Sequence, residues 1–64
     1  RLTVNGEEQE RDVRTIGELL DQLGLARAIC AVEVNKKVVP KRERDAFELS
    51  EGDRVEVVTL VGGG

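Results

Sequence analysis

Few groups in this sequence can take part in covalent chemistry, and they do not assemble into a conventional catalytic set. The chain has no His and no Tyr, and its one Cys, Cys30, sits among Ile29, Ala31 and Val32. The usual pairings of nucleophile with general base are therefore unavailable. Carboxylates are plentiful, but nothing has the Asp, Asn, Gly and Glu spacing of a calcium loop, and no metal site is expected. What remains is the ending Val61-Gly62-Gly63-Gly64, which carries a terminal α-carboxylate. Lacking Cβ atoms, such a tail is thin and can thread a channel too narrow for other residues. A carboxylate resists nucleophilic attack; joined to AMP it becomes an acyl-adenylate with a good leaving group, open to sulfur or nitrogen nucleophiles. In that chemistry the chain is a carried substrate, with no catalytic residue of its own, and Gly64 is the group modified.

Terminal glycines alone are also what a frayed end or an expression scar leaves. The preceding residues separate these readings. Residues 54–60 alternate as a strand: if Val55 and Val57 face a core while Glu56 faces water, Val58 and Leu60 fall on the open face. Exposed apolar side chains mark docking surfaces. Val58 and Leu60 are thus candidate partner contacts, with Gly62 and Gly63 the segment that enters a partner's active site.

The elements that must position this end are readable from local pattern. Leu2-Thr3-Val4 alternates with period two and runs into Asn5-Gly6, the pair that favours a type I′ hairpin turn, so a second strand is expected from Glu8 to Val13. Ile16, Leu19, Leu20 and Leu23 fall on one helical face. Thr15 and Glu18 have capping-box spacing, and Gly24 stands where a left-handed C-terminal cap belongs. Residues 31–34 suit a strand, Asn35-Lys36-Lys37 a turn, and Val38-Val39 a short strand ended by Pro40. Phe47 and Leu49 are expected to cover one end of the core, and Ser50-Glu51-Gly52-Asp53 to turn into the last strand. The order is β-β-α-β-β-β, an α+β arrangement most economically met by one sheet with one helix across it. The helix-bearing crossover allows the first and last strands to lie parallel at its centre.

Bulk properties narrow the partners. Sixty-four residues make one small domain, read as residues 1–61 with a flexible tail at 62–64, and leave no room for a deep cleft. A net charge of −3 argues against nucleic-acid binding. Residues 36–44 are the exception: Lys36, Lys37, Lys41, Arg42 and Arg44 outweigh Glu43, and this stretch is expected to be a solvated loop. A single Cys in so small a domain fits a reducing cytoplasm, with Cys30 as a small packing residue. No run approaches the ~20 apolar residues that span a bilayer, so no membrane association is expected. The start at Arg1 and not Met leaves room for a short preceding piece.

Taken in order, Leu2-Thr3-Val4-Asn5-Gly6-Glu7, the Thr15 to Leu25 helix, Val32-Glu33-Val34-Asn35 and Gly52-Asp53-Arg54-Val55-Glu56-Val57-Val58 through Gly64 resemble the ThiS/MoaD sulfur-carrier family, its thiamine-pathway branch most closely. The resemblance covers nearly the whole chain. It implies a ubiquitin-like β-grasp fold and a protein monomeric when free, with no bound cofactor. It further implies that an E1-like, ThiF-like adenylyltransferase uses ATP and Mg²⁺ to adenylate Gly64. Sulfur from a donor such as a cysteine desulfurase system then makes a thiocarboxylate, which delivers sulfur to a ThiG-like thiazole synthase. Gly63 and Gly64 match the family's paired glycines, and Gly62 is an additional one. The chain departs from the pattern at Lys36, where Gly commonly follows Asn35, so a type I′ geometry is not assured there. Other outcomes of the same activated terminus are sulfur delivery to molybdopterin or another acceptor, and ubiquitin-like conjugation to lysine. A non-reacting interaction module is the third class.

Overall fold

The structure, a computed structural model, describes residues 1–60; Val61 and the expected tail residues Gly62, Gly63 and Gly64 lie outside the described residues. Asn5 and Gly6 have φ of 50° and 85°, the signs a type I′ turn requires. They join β1 (Leu2–Val4) to β2 (Glu7–Gln9), with Val4 opposite Glu7 and Leu2 opposite Gln9. β2 stops short of the expected Val13. It is an edge strand with a single short partner, and the charged residues after Gln9 gain nothing from extending it. The Arg11 guanidinium instead donates to the side chains of Gln9 (2.7 Å) and Gln22 (3.2 Å), and Val13 turns back to pack on the core.

The helix α1 (Ile16–Gln22) begins and ends on its expected signals. Thr15 Oγ1 accepts from the Glu18 N–H at 3.2 Å. Glu18 Oε1 accepts from the Arg14 N–H at 2.7 Å, one residue earlier than in the standard reciprocal capping box. Gly24 takes a φ of 76°. The Leu25 N–H bonds to the Leu20 carbonyl at 2.7 Å and the Gly24 N–H to the Asp21 carbonyl at 3.1 Å, the two bonds of a Schellman motif.

Three further strands, β3 (Cys30–Val34), β4 (Lys37–Val38) and β5 (Arg54–Thr59), complete a five-stranded sheet in the order β2-β1-β5-β3-β4. Only the β1–β5 pairing is parallel, Thr3 lying opposite Arg54 and Val4 opposite Val55. One mixed sheet with a single helix across it is the expected β-grasp. Ile16, Leu19 and Leu20 are buried against Leu2 and Val4, Val32 and Val34, and Val55 and Val57 of the three central strands. Phe47 and Leu49 pack partly buried at its margin, as expected. Among the described residues, no helix is long and apolar enough to cross a membrane.

The turn between β3 and β4, whose geometry the sequence left open, is resolved by the structure. Asn35 and Lys36 have φ of 51° and 72°, so the turn has type I′ signs even with Lys in the second place. The reason lies in Asn35. Its Oδ1 accepts from the Arg54 N–H and its Nδ2 donates to Asp53 Oδ1, each at 3.0 Å, while its own N–H donates to the Arg54 carbonyl at 2.7 Å. These bonds hold the hairpin against β5 and force Lys36 into the left-handed region, which costs an L-residue about 1–2 kcal/mol. Glycine escapes that cost but loses roughly 0.5–1 kcal/mol in chain entropy. Lys36→Gly should therefore raise stability by about 0.5–1 kcal/mol, seen as a higher urea midpoint at unchanged slope; Lys36→Ala should not.

Candidate functional site

The last strand does what its alternation requires. Val55 and Val57 are 1% and 7% exposed and face the helix, whereas Val58 and Leu60 are 57% and 59% exposed. Both candidate contacts therefore stand on the open face, Val58 in β5 and Leu60 just beyond it.

Their neighbours come from β3, through the register. Ala31 lies directly opposite Val58. The Leu60 N–H donates to the Ile29 carbonyl at 2.9 Å, which carries the pairing past the ends of both strands and sets Ile29 beside Leu60. Ile29 is 73% exposed, the most exposed large apolar side chain among the described residues, and Ala31 is exposed too. The result is an apolar patch of Ile29, Ala31, Val58 and Leu60, where the sequence suggested only two members. Ile29 was missed because it precedes β3; counting back in steps of two from Ala31 would have found it.

Beyond Ala31 and Val58, the next pair on this face is Glu33 opposite Glu56, and Val38, also exposed, lies on the other side of Glu33. Then come Arg54 and the Asn35-Lys36 turn. The face thus grades from apolar, at the Leu60 end, through acidic to basic at its far end. Among the described residues every ion pair involves Arg1, which reaches Glu8, Glu10 and Glu51 near the β2 edge.

Cys30 points the other way. It pairs with Thr59, is half-buried and packs against the core. The Arg44 guanidinium clamps it, Nη2 donating to its carbonyl oxygen at 2.6 Å and Nη1 lying 3.7 Å from Sγ. This is the packing role expected of it. The basic stretch is not a plain loop: Lys37 belongs to β4, a short 3₁₀ turn runs over Lys41–Glu43, and Arg44 is drawn inward to reach Cys30. Lys36, Lys37, Lys41 and Arg42 remain exposed. No group of three potential metal ligands occurs among the described residues.

Three comparisons bear on this geometry. The family model described as "ThiS family" matches residues 2–64. The sulfur carrier protein ThiS of Bacillus subtilis is 37% identical over 65 residues, an alignment covering 98% of each chain. A thiazole synthase of Paramagnetospirillum magneticum is also 37% identical and aligns with all of this chain, which spans a fifth of that protein's length. The crystal structure of a thiamine biosynthesis protein (ThiS) from Geobacter metallireducens superposes with a TM-score of 0.81 at 37% identity, covering 98% of this chain and 97% of the other. With the family model spanning all but one residue, a relative of the same length and a matching sheet and helix, the chain belongs to the ThiS family.

Proposed function

We propose that this protein is a sulfur carrier of thiamine biosynthesis, a co-substrate and not itself an enzyme, whose working group is the carboxylate of Gly64. The observation that carries the reading is the patch of Ile29, Ala31, Val58 and Leu60, which lies at the C-terminal end of β5, the end from which the chain runs on to Gly64. A partner seated there has Gly64 within four residues of Leu60, at most about 14 Å of extended chain. The B. subtilis relative's name supports the carrier role. The P. magneticum relative, a thiazole synthase with a segment like this whole chain, supports a synthase as the enzyme that takes the sulfur.

In the proposed route a ThiF-like adenylyltransferase joins the Gly64 carboxylate to AMP from Mg²⁺-bound ATP, with pyrophosphate leaving. A persulfide sulfur supplied by a cysteine desulfurase system attacks the acyl carbon and AMP departs. A thiol then cleaves the resulting S–S bond, leaving a thiocarboxylate on Gly64 and the donor oxidised to a disulfide. The thiocarboxylate delivers its sulfur to the ThiG-like synthase. This chain supplies the acyl group and the surface that places it.

The test is to incubate the purified protein with the adenylyltransferase encoded in the same genome and Mg²⁺-ATP, and to read intact mass. An adenylate on Gly64 is expected, then replacement of one carboxylate oxygen by sulfur once the donor system is added. Absence of any adduct with a cognate enzyme that is active on ATP would overturn the proposal.

A further inference from the structure

The open face carries a second feature that the apolar patch does not explain. Glu33 and Glu56 lie directly opposite one another in the β3–β5 ladder, where facing Cβ atoms are about 5 Å apart and like charges are destabilising. Glu33 is half-buried and Glu56 exposed. Among the described residues neither acid has an ion-pair partner, although Lys36 and Arg54 line a shallow surface pocket together with Glu56. Arg54, two residues before Glu56 on the same face, and Lys36 in the adjoining turn form no ion pair with either acid, since among the described residues all ion pairs belong to Arg1.

The pair also borders the patch immediately, one step along the strands from Ala31 and Val58. A partner that covers Val58 and Leu60 therefore removes water from Glu33 and Glu56 as well. Burying two uncompensated carboxylates is costly unless the covering surface supplies a cation. A guanidinium suits the task, because its fork of N–H donors can bridge two carboxylates at once. A second copy of this chain does not suit it: a two-fold contact that sets the apolar patch against itself brings neither Arg54 nor Lys36 of one copy over the acids of the other.

We propose that this face selects a protein partner whose docking surface sets an arginine or lysine beside its apolar contact, the cation bridging Glu33 and Glu56 while the apolar group covers Val58 and Leu60. The proposal rests on the carrier reading, in which the face docks the adenylyltransferase and the synthase, and it names what those surfaces must contain. The acidic pair is a specificity determinant.

The experiment is titration calorimetry of the full chain and its variants against the cognate adenylyltransferase and thiazole synthase at low and high salt. Glu33→Lys with Glu56→Lys should weaken binding to at least one of the two enzymes by about 30-fold or more, and the isosteric Glu33→Gln with Glu56→Gln by roughly tenfold with a shallower salt dependence. The neutral pair keeps the question answerable should the lysine variant not fold. Glu7→Lys with Glu8→Lys, the same change of charge on the β2 edge, should alter affinity by less than about threefold. If Val58→Asp abolishes binding while both Glu33/Glu56 variants bind as tightly as the unchanged chain, this proposal is wrong and the docking face stands. If neither enzyme binds the unchanged chain, the carrier reading fails and takes this proposal with it.

Discussion

A chain shortened by Gly63 and Gly64 is expected to unfold at the same urea concentration as the full chain and to accept no adenylate, a loss of roughly a thousandfold or more. Both halves of this expectation come from where the residues lie. Among the described residues every buried apolar side chain precedes residue 58, and the two glycines removed carry no side chain, so the shortening should take nothing from the core. The chemistry is different, because two residues of extended chain amount to about 7 Å, while a misplacement of about 1 Å at a reacting centre can cost a hundredfold. The new carboxylate on Gly62 would stop short of the activated phosphate. Pyrophosphate release and intact mass check this directly, and Gly63→Val separates reach from width by keeping the length while adding Cβ and two methyl groups. Normal adenylation of the shortened chain would remove Gly64 from the mechanism.

The second large effect concerns stability. Leu19 is fully buried under the sheet, 0% exposed, and Leu19→Ala should cost about 3 kcal/mol, the transfer of the lost atoms plus the cavity they leave. A domain of 64 residues has roughly 3–10 kcal/mol in total. A single truncation therefore takes a large share of it and lowers the melting temperature by about 12–24 °C. Val58→Ala provides the contrast, since its side chain is 57% exposed and should change stability by less than about 0.5 kcal/mol. Equal effects from the two would mean that the assignment of inner and outer faces is wrong.

What could be read in advance was whatever depends on near neighbours. Asn5-Gly6, Thr15 with Glu18, and Gly24 set their turn and caps through contacts within a few residues, and each formed where its pattern placed it. The strand period put Val55 and Val57 inside and Val58 outside for the same reason. The features that escaped depend on register between distant segments. Ile29 joins the site only because Leu60 pairs with it, and Glu33 faces Glu56 only because Val32 pairs with Val57. The turn at Lys36 was left open because its backbone is decided by Asn35 reaching Asp53 and Arg54, eighteen and nineteen positions further along the chain. Arg44 likewise gives no local sign that it will clamp Cys30. Of the candidate site, the outward residues Val58 and Leu60 were legible; their partners across the ladder were not.

The position of β5 also has a mechanical consequence. It is the last strand in sequence among the described residues, yet it lies between β1 and β3 with hydrogen bonds on both flanks. A pull applied along the axis of β5 from its C-terminal end would load both ladders in shear, so that their bonds share the strain. A strand at the rim would peel one bond at a time. On the proposed carrier reading, the domain would withstand being handled by its own terminus without being unravelled.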